Sequence, residues 1–323
     1  MCSTTKLGAF CALVCFTAPL LMGQTTHSRE PVSPEVQQHI EKVTSCLQAM
    51  VVIKDESRVC PTLSQRMAEL HIPGVSIAVI HNGAIEWARG FGLKQTGGVP
   101  IGADTLFQAG SISKPLAAMA ALHQVQEKKL SLDADVNSEL VSWKIPASPA
   151  ANGKPVTLRE LLTHTAGFTV HGFPGYAASE PVPTLIQVLN GEKPANTPPI
   201  RLESEPGSRW NYSGGGYTVM QQTVLDASRE PFPKLLHETV LAPIGMTDST
   251  YQQPLPADLQ PAAAIPYDAD GKPIPGGAHT YPEMAAAGLW TTPSDLARYC
   301  LEVELSLQGR ANHVLSQDLT SRC

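Results

Sequence analysis

The sequence predicts a mixed α and β fold, in one large domain or a two-lobed one. A β-branched run from Gly74 to Ile80, the turn His81-Asn82-Gly83 and a second extended run from Ala84 to Gly92 form the pattern of a β-hairpin. Further along the chain, apolar residues recur at three- and four-residue steps, as in amphipathic helices. With 323 residues, of which 42% are hydrophobic and 16% charged, the chain can bury a sizeable core.

The first helix is predicted to begin after Ser33, which can cap it, with Pro34 and Glu35 in the first turn. Apolar residues then recur on one face, which predicts that the helix packs on a sheet. The residues of this stripe are Val36, Ile40, Val43, Leu47 and Met50.

The middle of the chain is predicted to be rich in helices, because capping residues precede several apolar periodic segments. Gly167 to Leu202 differs, since its glycines, prolines and small polar residues favour a long irregular loop of the kind that lines substrate clefts. The predicted helices are Ser113 to Leu130, a short one after Thr157 that ends at Leu162, Tyr217 to Ala227, Phe232 to Val240, and one after Thr292 that ends near Leu307.

The start of the helix predicted from Ser113 carries a candidate nucleophile. Ser111 lies at the helix N-terminus, where unpaired backbone N–H groups and the helix dipole can stabilise a developing oxyanion. Lys114 lies three residues later on the same face, so its amine can reach the Ser111 oxygen and, when desolvated, act as a base. The same spacing occurs at Ser3-Thr4-Thr5-Lys6, so the pattern by itself equally fits a helix cap beside a solvated lysine.

Four segments in a fixed order give the chain a family resemblance from about Ile72 to Leu307. They are GSISKP at 110–115, LLTHTAGF at 161–168, WNYSGGGY at 210–217 and GLWTTPSDLA at 288–297. Together they resemble the serine β-lactamase and penicillin-binding-protein superfamily. Within it, the chain is similar to the class C β-lactamase-like group, which also contains DD-peptidases, D-aminopeptidases and esterases.

The resemblance implies an α/β (α+β) fold, with an antiparallel sheet flanked by helices and an inserted all-α lobe, of the β-lactamase/transpeptidase type. It implies that Ser111 is the nucleophile, that Lys114 is its partner on the helix, and that Tyr212 passes protons between nucleophile and leaving group. Whether Lys114 or Tyr212 is the principal base stays open at this point.

Two further residues are expected to contact substrate by their family positions. Gly214 stands where class C β-lactamases have the asparagine of Tyr-x-Asn, which favours the esterase and peptidase relatives over β-lactam hydrolysis. His171 lies in the predicted loop from Gly167 to Leu202 and could face substrate, although an ordinary exposed loop histidine is the alternative.

The third motif of the family, Lys-Thr-Gly or His-x-Gly near the C-terminus, has no counterpart in the sequence. Lys-Thr-Gly does not occur, and the single His-x-Gly, at His81-Asn82-Gly83, precedes the nucleophile and predicts a hairpin turn. We therefore expect residues 24–323 to form a β-lactamase-related domain that lacks its C-terminal strands and helix. The chain is expected to be inactive if turnover requires the third motif.

The N-terminus predicts a secretory signal peptide over residues 1–23. Lys6 precedes an apolar run from Leu7 to Met22, and polar residues from Gln24 to Glu30 follow. This run is shorter than the roughly 20 residues that a membrane span needs, although an uncleaved anchor is an alternative. The remaining domain is expected in the periplasm or outside the cell, without stable membrane insertion.

Cysteines and charge narrow the classes of ligand and partner. Cys46 and Cys60 close a short loop and either form a disulfide or stay as two thiols. The net charge of −6 and the lack of a basic cluster argue against nucleic acid as a partner. No metal-ligand spacing occurs, so no metal or cofactor is expected. The expected partner is a small-molecule or peptide substrate, and the protein is expected to be a monomer.

Two functions from different classes fit these observations. The first is a serine hydrolase that forms an acyl-enzyme on an ester, a D-amino-acid peptide or a β-lactam carbonyl. The second is a non-catalytic protein that binds peptidoglycan or a similar ligand in a degenerate, truncated site. An α/β-hydrolase is disfavoured because no G-x-S-x-G elbow surrounds Ser111, Ser208 or Ser213.

Overall fold

The computed structural model describes residues 32–48, 51, 54, 60–95 and 97–322. The expected signal peptide therefore lies outside the described residues. Strand β1 (Gly74–His81) pairs with β2 (Ala84–Gly92) in antiparallel register. The turn between them places Asn82 at φ 51° and Gly83 at φ 74°, the two left-handed positions that a tight hairpin turn requires. The predicted hairpin is confirmed.

Helix α1 (Pro34–Ser45) is capped by Ser33, whose hydroxyl accepts a hydrogen bond from the Val36 N–H. Its Ile40 side chain is buried, and His39 Nδ1 lies 2.7 Å from Glu86 Oε1 of β2. The expected packing of this helix on the sheet is confirmed, although the helix ends before the last two residues of the predicted stripe.

Helix α2 (Leu63–Glu69) begins with a reciprocal capping box between Thr62 and Gln65. Between α1 and α2, Cys46 and Cys60 form a disulfide with a Cα separation of 4.9 Å. Of the two alternatives that the sequence left open, the structure shows the disulfide.

The helical part of the molecule begins with a 3-10 turn (Gly110–Ile112) that leads into α3. Helices α3 and α7 are buried along most of their length and pack on each other at the centre of the core. The helices of this part are α3 (Ser113–Gln126), α4 (Val136–Glu139), α5 (Leu158–Leu162), α6 (Leu185–Asn190), α7 (Gly214–Ser228) and α8 (Phe232–Leu236), the last of which continues as a π-helical turn (His237–Leu241).

Three predictions about these helices were wrong in detail. Helix α3 ends four residues before Leu130, where Lys128 takes a left-handed conformation at φ 58° and turns the chain. Helix α7 begins three residues before Tyr217, because the Ser213 hydroxyl caps it by accepting from the Gly216 N–H. The loop expected to be irregular contains α6, which starts with its own capping box at Thr184.

The C-terminal part returns the chain to the hairpin. Helix α9 (Met284–Ala287) precedes β4 (Trp290–Thr291), which pairs antiparallel with β3 (Phe107–Gln108). Helix α10 (Pro293–Leu307), capped by Thr292, packs on β1 and β2, and α11 (Gln317–Thr320) follows. The mixed α and β class is thus confirmed, with a small antiparallel hairpin on which α1 and α10 pack and a larger helical part.

One buried carboxyl group lies in the core beside α9. Glu283 is 0% exposed, and its two carboxylate oxygens make no hydrogen bond within the part of the chain that the structure describes. Burial raises the pKa of Glu283 to about 7. Gln221 of α7 binds the backbone on both sides of Glu283. Its side chain donates to the Pro282 carbonyl and accepts from the Ala285 N–H.

Reduction of the Cys46–Cys60 disulfide is expected to lower the free energy of unfolding by up to about 3 kcal/mol, the value for releasing a loop of this length. Urea unfolding with and without a reductant measures the change. Cys300, an exposed free thiol, provides the control, since Cys300→Ser should leave the effect of the reductant intact. An equal stability of the reduced and oxidised protein would contradict the prediction.

Glu283→Gln is expected to change how stability depends on pH. The folded protein keeps the Glu283 proton up to about pH 7, whereas an unfolded glutamic acid loses it near 4.5. The free energy of unfolding therefore falls by about 3 kcal/mol in total as the pH rises from 4.5 to about 7, and it levels off at higher pH. The glutamine variant lacks this loss. The free energy of unfolding of the variant, relative to that of the wild type, should therefore rise by the same amount over this pH range. Urea unfolding at pH 4.5 and at about pH 8 tests this, and a pH-independent difference would refute it.

Candidate active site

A network of buried hydrogen bonds fixes the turn that carries Ser111. Ser113 is fully buried, and its hydroxyl donates to the Gly110 carbonyl at 2.6 Å while it accepts from the Leu289 N–H at 2.9 Å. The Tyr251 hydroxyl donates to the Ser113 carbonyl at 2.6 Å. Ser111 itself stays exposed at the surface of this rigid turn.

The Lys114 side chain lies beneath Ser111. Its Nζ is 3.0 Å from Ser111 Oγ and 2.8 Å from the Ala286 carbonyl oxygen of α9. Only 5% of the residue is exposed. The rings of Tyr212 and Tyr217 enclose the amine, with ring centroids 4.9 and 5.7 Å from Nζ. The amine is thus held between a hydroxyl, a carbonyl and two aromatic rings.

Burial lowers the pKa of Lys114 below its usual value of 10.5. The Tyr212 hydroxyl works against this shift, because it favours the charged amine, but desolvation is the larger effect. A lysine of lowered pKa beside a serine hydroxyl can give up its own proton and then accept the proton of the serine.

His164 completes the group of side chains around Lys114. Its ring centroid is 4.4 Å from that of Tyr212 and 5.1 Å from that of Tyr217, and its Nδ1 accepts a hydrogen bond from the Ser213 N–H at 3.2 Å. Burial lowers the pKa of His164, and the nearby Lys114 charge lowers it further. His164 stands within LLTHTAGF, and no role was predicted for it from the sequence.

A cavity of about 580 Å³ opens beside these groups. Its polar lining includes Ser111, Lys114, His164 and Tyr212, so the four side chains face one space. The rest of the lining is mostly apolar and includes Ile112, Pro115, Ala118, Leu122, Leu162 and Tyr299. A substrate carbonyl could approach Ser111 from this cavity while an apolar substituent lies against the lining.

The structure does not bring Gly214 and His171 into this cavity. Gly214 is the buried first residue of α7, and a Cβ placed on it would lie 3.0 Å from the Phe173 ring and 3.3 Å from the His171 carbonyl oxygen. His171 is exposed, and its Nδ1 lies 2.5 Å from the Tyr212 carbonyl oxygen. Direct substrate contact by these two residues stays a prediction.

Among the described residues, no group of three or more histidine, cysteine or acidic side chains is arranged to hold a metal ion. Within the same ranges, no helix is long and apolar enough to cross a membrane.

Curated relatives are similar to this chain over more than half of its length. Esterase EstB of Burkholderia gladioli is 29% identical over 235 residues, which cover 68% of this chain and 56% of that protein. A beta-lactamase of Pseudomonas fluorescens is 29% identical over 241 residues, which cover 74% of this chain and 62% of that protein. The chain thus spans little more than half the length of these relatives.

The fold is similar to that of solved penicillin-binding-protein homologues. The octameric homologue from Pyrococcus abyssi superimposes with a TM-score of 0.63 at 25% identity, covering 80% of this chain and 57% of that one. This likeness confirms the expected β-lactamase/transpeptidase-like fold. The family model described as Beta-lactamase matches residues 61–321, which include every residue of the site. The chain belongs to the beta-lactamase family.

Proposed function

We propose that this protein is a serine hydrolase that works through an acyl-enzyme intermediate on Ser111. The observation that carries the proposal is the 3.0 Å contact between Lys114 Nζ and Ser111 Oγ, made by a buried lysine of lowered pKa at the edge of a cavity. Membership of a family whose relatives include an esterase and a beta-lactamase supports it.

In this mechanism, neutral Lys114 takes the proton of the Ser111 hydroxyl as Oγ attacks the substrate carbonyl carbon. The carbonyl oxygen becomes an oxyanion, to which the Ser111 backbone N–H donates one of the stabilising hydrogen bonds. Tyr212 passes the proton from Lys114 to the leaving group as the carbon–heteroatom bond breaks, which leaves an ester on Ser111. Water then attacks this ester, and its proton returns to Ser111 Oγ by the same route.

The proposed substrates are esters and D-amino-acid peptides ahead of β-lactams. Gly214 brings no side-chain amide, and one hydrogen bond to substrate contributes roughly 1–3 kcal/mol when its loss leaves a group unpaired. The cavity lining is mostly apolar, which suits an apolar acyl substituent, and Thr163 and Arg322 add polar groups to it.

We also propose that the protein works in the periplasm or outside the cell. The signal-like N-terminal sequence and the Cys46–Cys60 disulfide both favour an oxidising compartment. The monomeric state expected from the sequence stays a prediction.

Incubation with a p-nitrophenyl ester, and separately with a penicillin, is expected to add the acyl mass to the intact protein at Ser111. Mass spectrometry of the whole chain and of its peptides measures the adduct. Ser111→Ala should abolish it, whereas Ser208→Ala, at an exposed serine, should not.

Loss of the adduct in both serine variants would point to a folding defect, and its survival in Ser111→Ala would remove Ser111 from the proposed role. A wild-type protein that binds these compounds reversibly but forms no adduct would favour the ligand-binding function.

Tyr212→Phe is expected to slow acylation by roughly 10²- to 10⁴-fold, the usual contribution of a proton-transfer group. The variant keeps the ring that packs on His164 and loses only the hydroxyl. Stopped-flow release of p-nitrophenol gives the rate.

The control is Tyr217→Phe, whose hydroxyl donates to the Leu162 carbonyl and whose ring also faces Lys114. This variant should retain acylation within about tenfold of the wild type, since its hydroxyl transfers no proton. Equal rates in the two variants would contradict a proton-transfer role for Tyr212.

A further inference from the structure

Tyr212 lies in an irregular segment just before α7, so hydrogen bonds from elsewhere must fix its position. The segment Thr169–His171 supplies them with three successive carbonyl groups. The Thr169 carbonyl accepts from the Ser213 hydroxyl at 3.1 Å, the Val170 carbonyl from the Gly215 N–H at 2.8 Å, and the His171 carbonyl from the Gly214 N–H at 3.3 Å.

His171 also binds the other side of this segment through its ring. Its Nδ1 is 2.5 Å from the Tyr212 carbonyl oxygen. A carbonyl oxygen only accepts hydrogen bonds, so Nδ1 carries a hydrogen and donates it. The backbone carbonyl and the ring of His171 thus hold Gly214 and Tyr212, the two ends of a three-residue stretch.

The Thr169–His171 segment is held in a conformation that it would not adopt alone. Val170 has φ 62°, a left-handed conformation that is unfavourable for a β-branched residue. Such strain persists where the surroundings fix the backbone. Here Thr169 is tied to Arg201, since its N–H donates to the Arg201 carbonyl and its hydroxyl accepts from the Arg201 N–H, both at 2.9 Å.

His164 holds the same tyrosine from the opposite end. Its ring packs on the Tyr212 ring and its Nδ1 accepts from the Ser213 N–H, so the side chain and the backbone of Tyr212 have separate supports. With both in place, the Tyr212 ring lies 4.9 Å from Lys114 Nζ. A displacement of about 1 Å at such a group can slow a reaction roughly a hundredfold.

We propose that His171 is a positioning residue for Tyr212, which acts by donating a hydrogen bond from Nδ1 to the Tyr212 carbonyl. This inference rests on the proposed acyl-enzyme function and deepens it. It gives His171 the role of positioning Tyr212, the second proton-transfer group, and not that of contacting the substrate.

Two variants of His171 separate these roles. Asparagine places its amide N–H at about the reach of Nδ1 and keeps the donor, whereas glutamine carries the amide one bond further out. Hydrolysis of p-nitrophenyl butyrate by His171→Gln is expected to show a kcat about tenfold lower with an unchanged KM, and His171→Asn should recover most of it. A raised KM with unchanged kcat in both variants would mean substrate contact and overturn the proposal.

A second measurement works even if the protein hydrolyses nothing. In protein labelled with ¹³C at the tyrosine Cζ atoms, the Tyr212 signal is identified by its absence from Tyr212→Phe. This signal should shift or broaden in His171→Gln and match the wild type in His171→Asn. An unchanged signal in both variants refutes the positioning role, whereas a shifted signal in a protein that forms no Ser111 adduct refutes only the acyl-enzyme function.

Discussion

The burial of one amine, that of Lys114, is the constraint on which the rest of the site depends. A buried ammonium is costly unless polar groups replace its water, and here Ser111 Oγ and the Ala286 carbonyl do so. The same desolvation lowers the pKa of Lys114, which is the property that the proposed role as a base requires.

This constraint explains why distant parts of the chain are tied together. Ala286 belongs to α9, and the residue just before β4, Leu289, donates its N–H to the Ser113 hydroxyl under the turn that carries Ser111. Gln221 of α7 holds the residues that lead into α9, and α7 itself starts two residues after Tyr212. The helices that form the core are therefore also the supports of Ser111, Lys114 and Tyr212.

Local features of the fold were predictable because short-range chemistry determines them. The turn at Asn82-Gly83 needs two left-handed residues, and Thr157 and Thr292 cap helices that start directly after them. The approach of Lys114 to Ser111 follows from a spacing of three residues on one helix. Each of these predictions used residues within one or two turns of each other.

The long-range parts of the site were not predictable in the same way. The Ala286 carbonyl and the Leu289 N–H are backbone groups, so no residue type marks them in a sequence. The contact between the His171 ring and the Tyr212 carbonyl joins residues 41 positions apart, in a segment where Val170 has a left-handed backbone, and neither feature can be predicted from residue types. Nothing in the sequence marks Glu283 as a buried carboxyl group that has no hydrogen-bond partner among the described residues.

The most direct measurement is the pKa of Lys114 in the folded protein. In protein labelled with ¹³C at the lysine Cε atoms, the signal that disappears in Lys114→Met can be followed as the pH is raised. The buried position between Ser111 and Ala286 predicts a titration midpoint clearly below 10.5, the usual value for lysine. A midpoint at or above that value would show that Lys114 remains a solvated or ion-paired cation, and would contradict its proposed role as the base that activates Ser111.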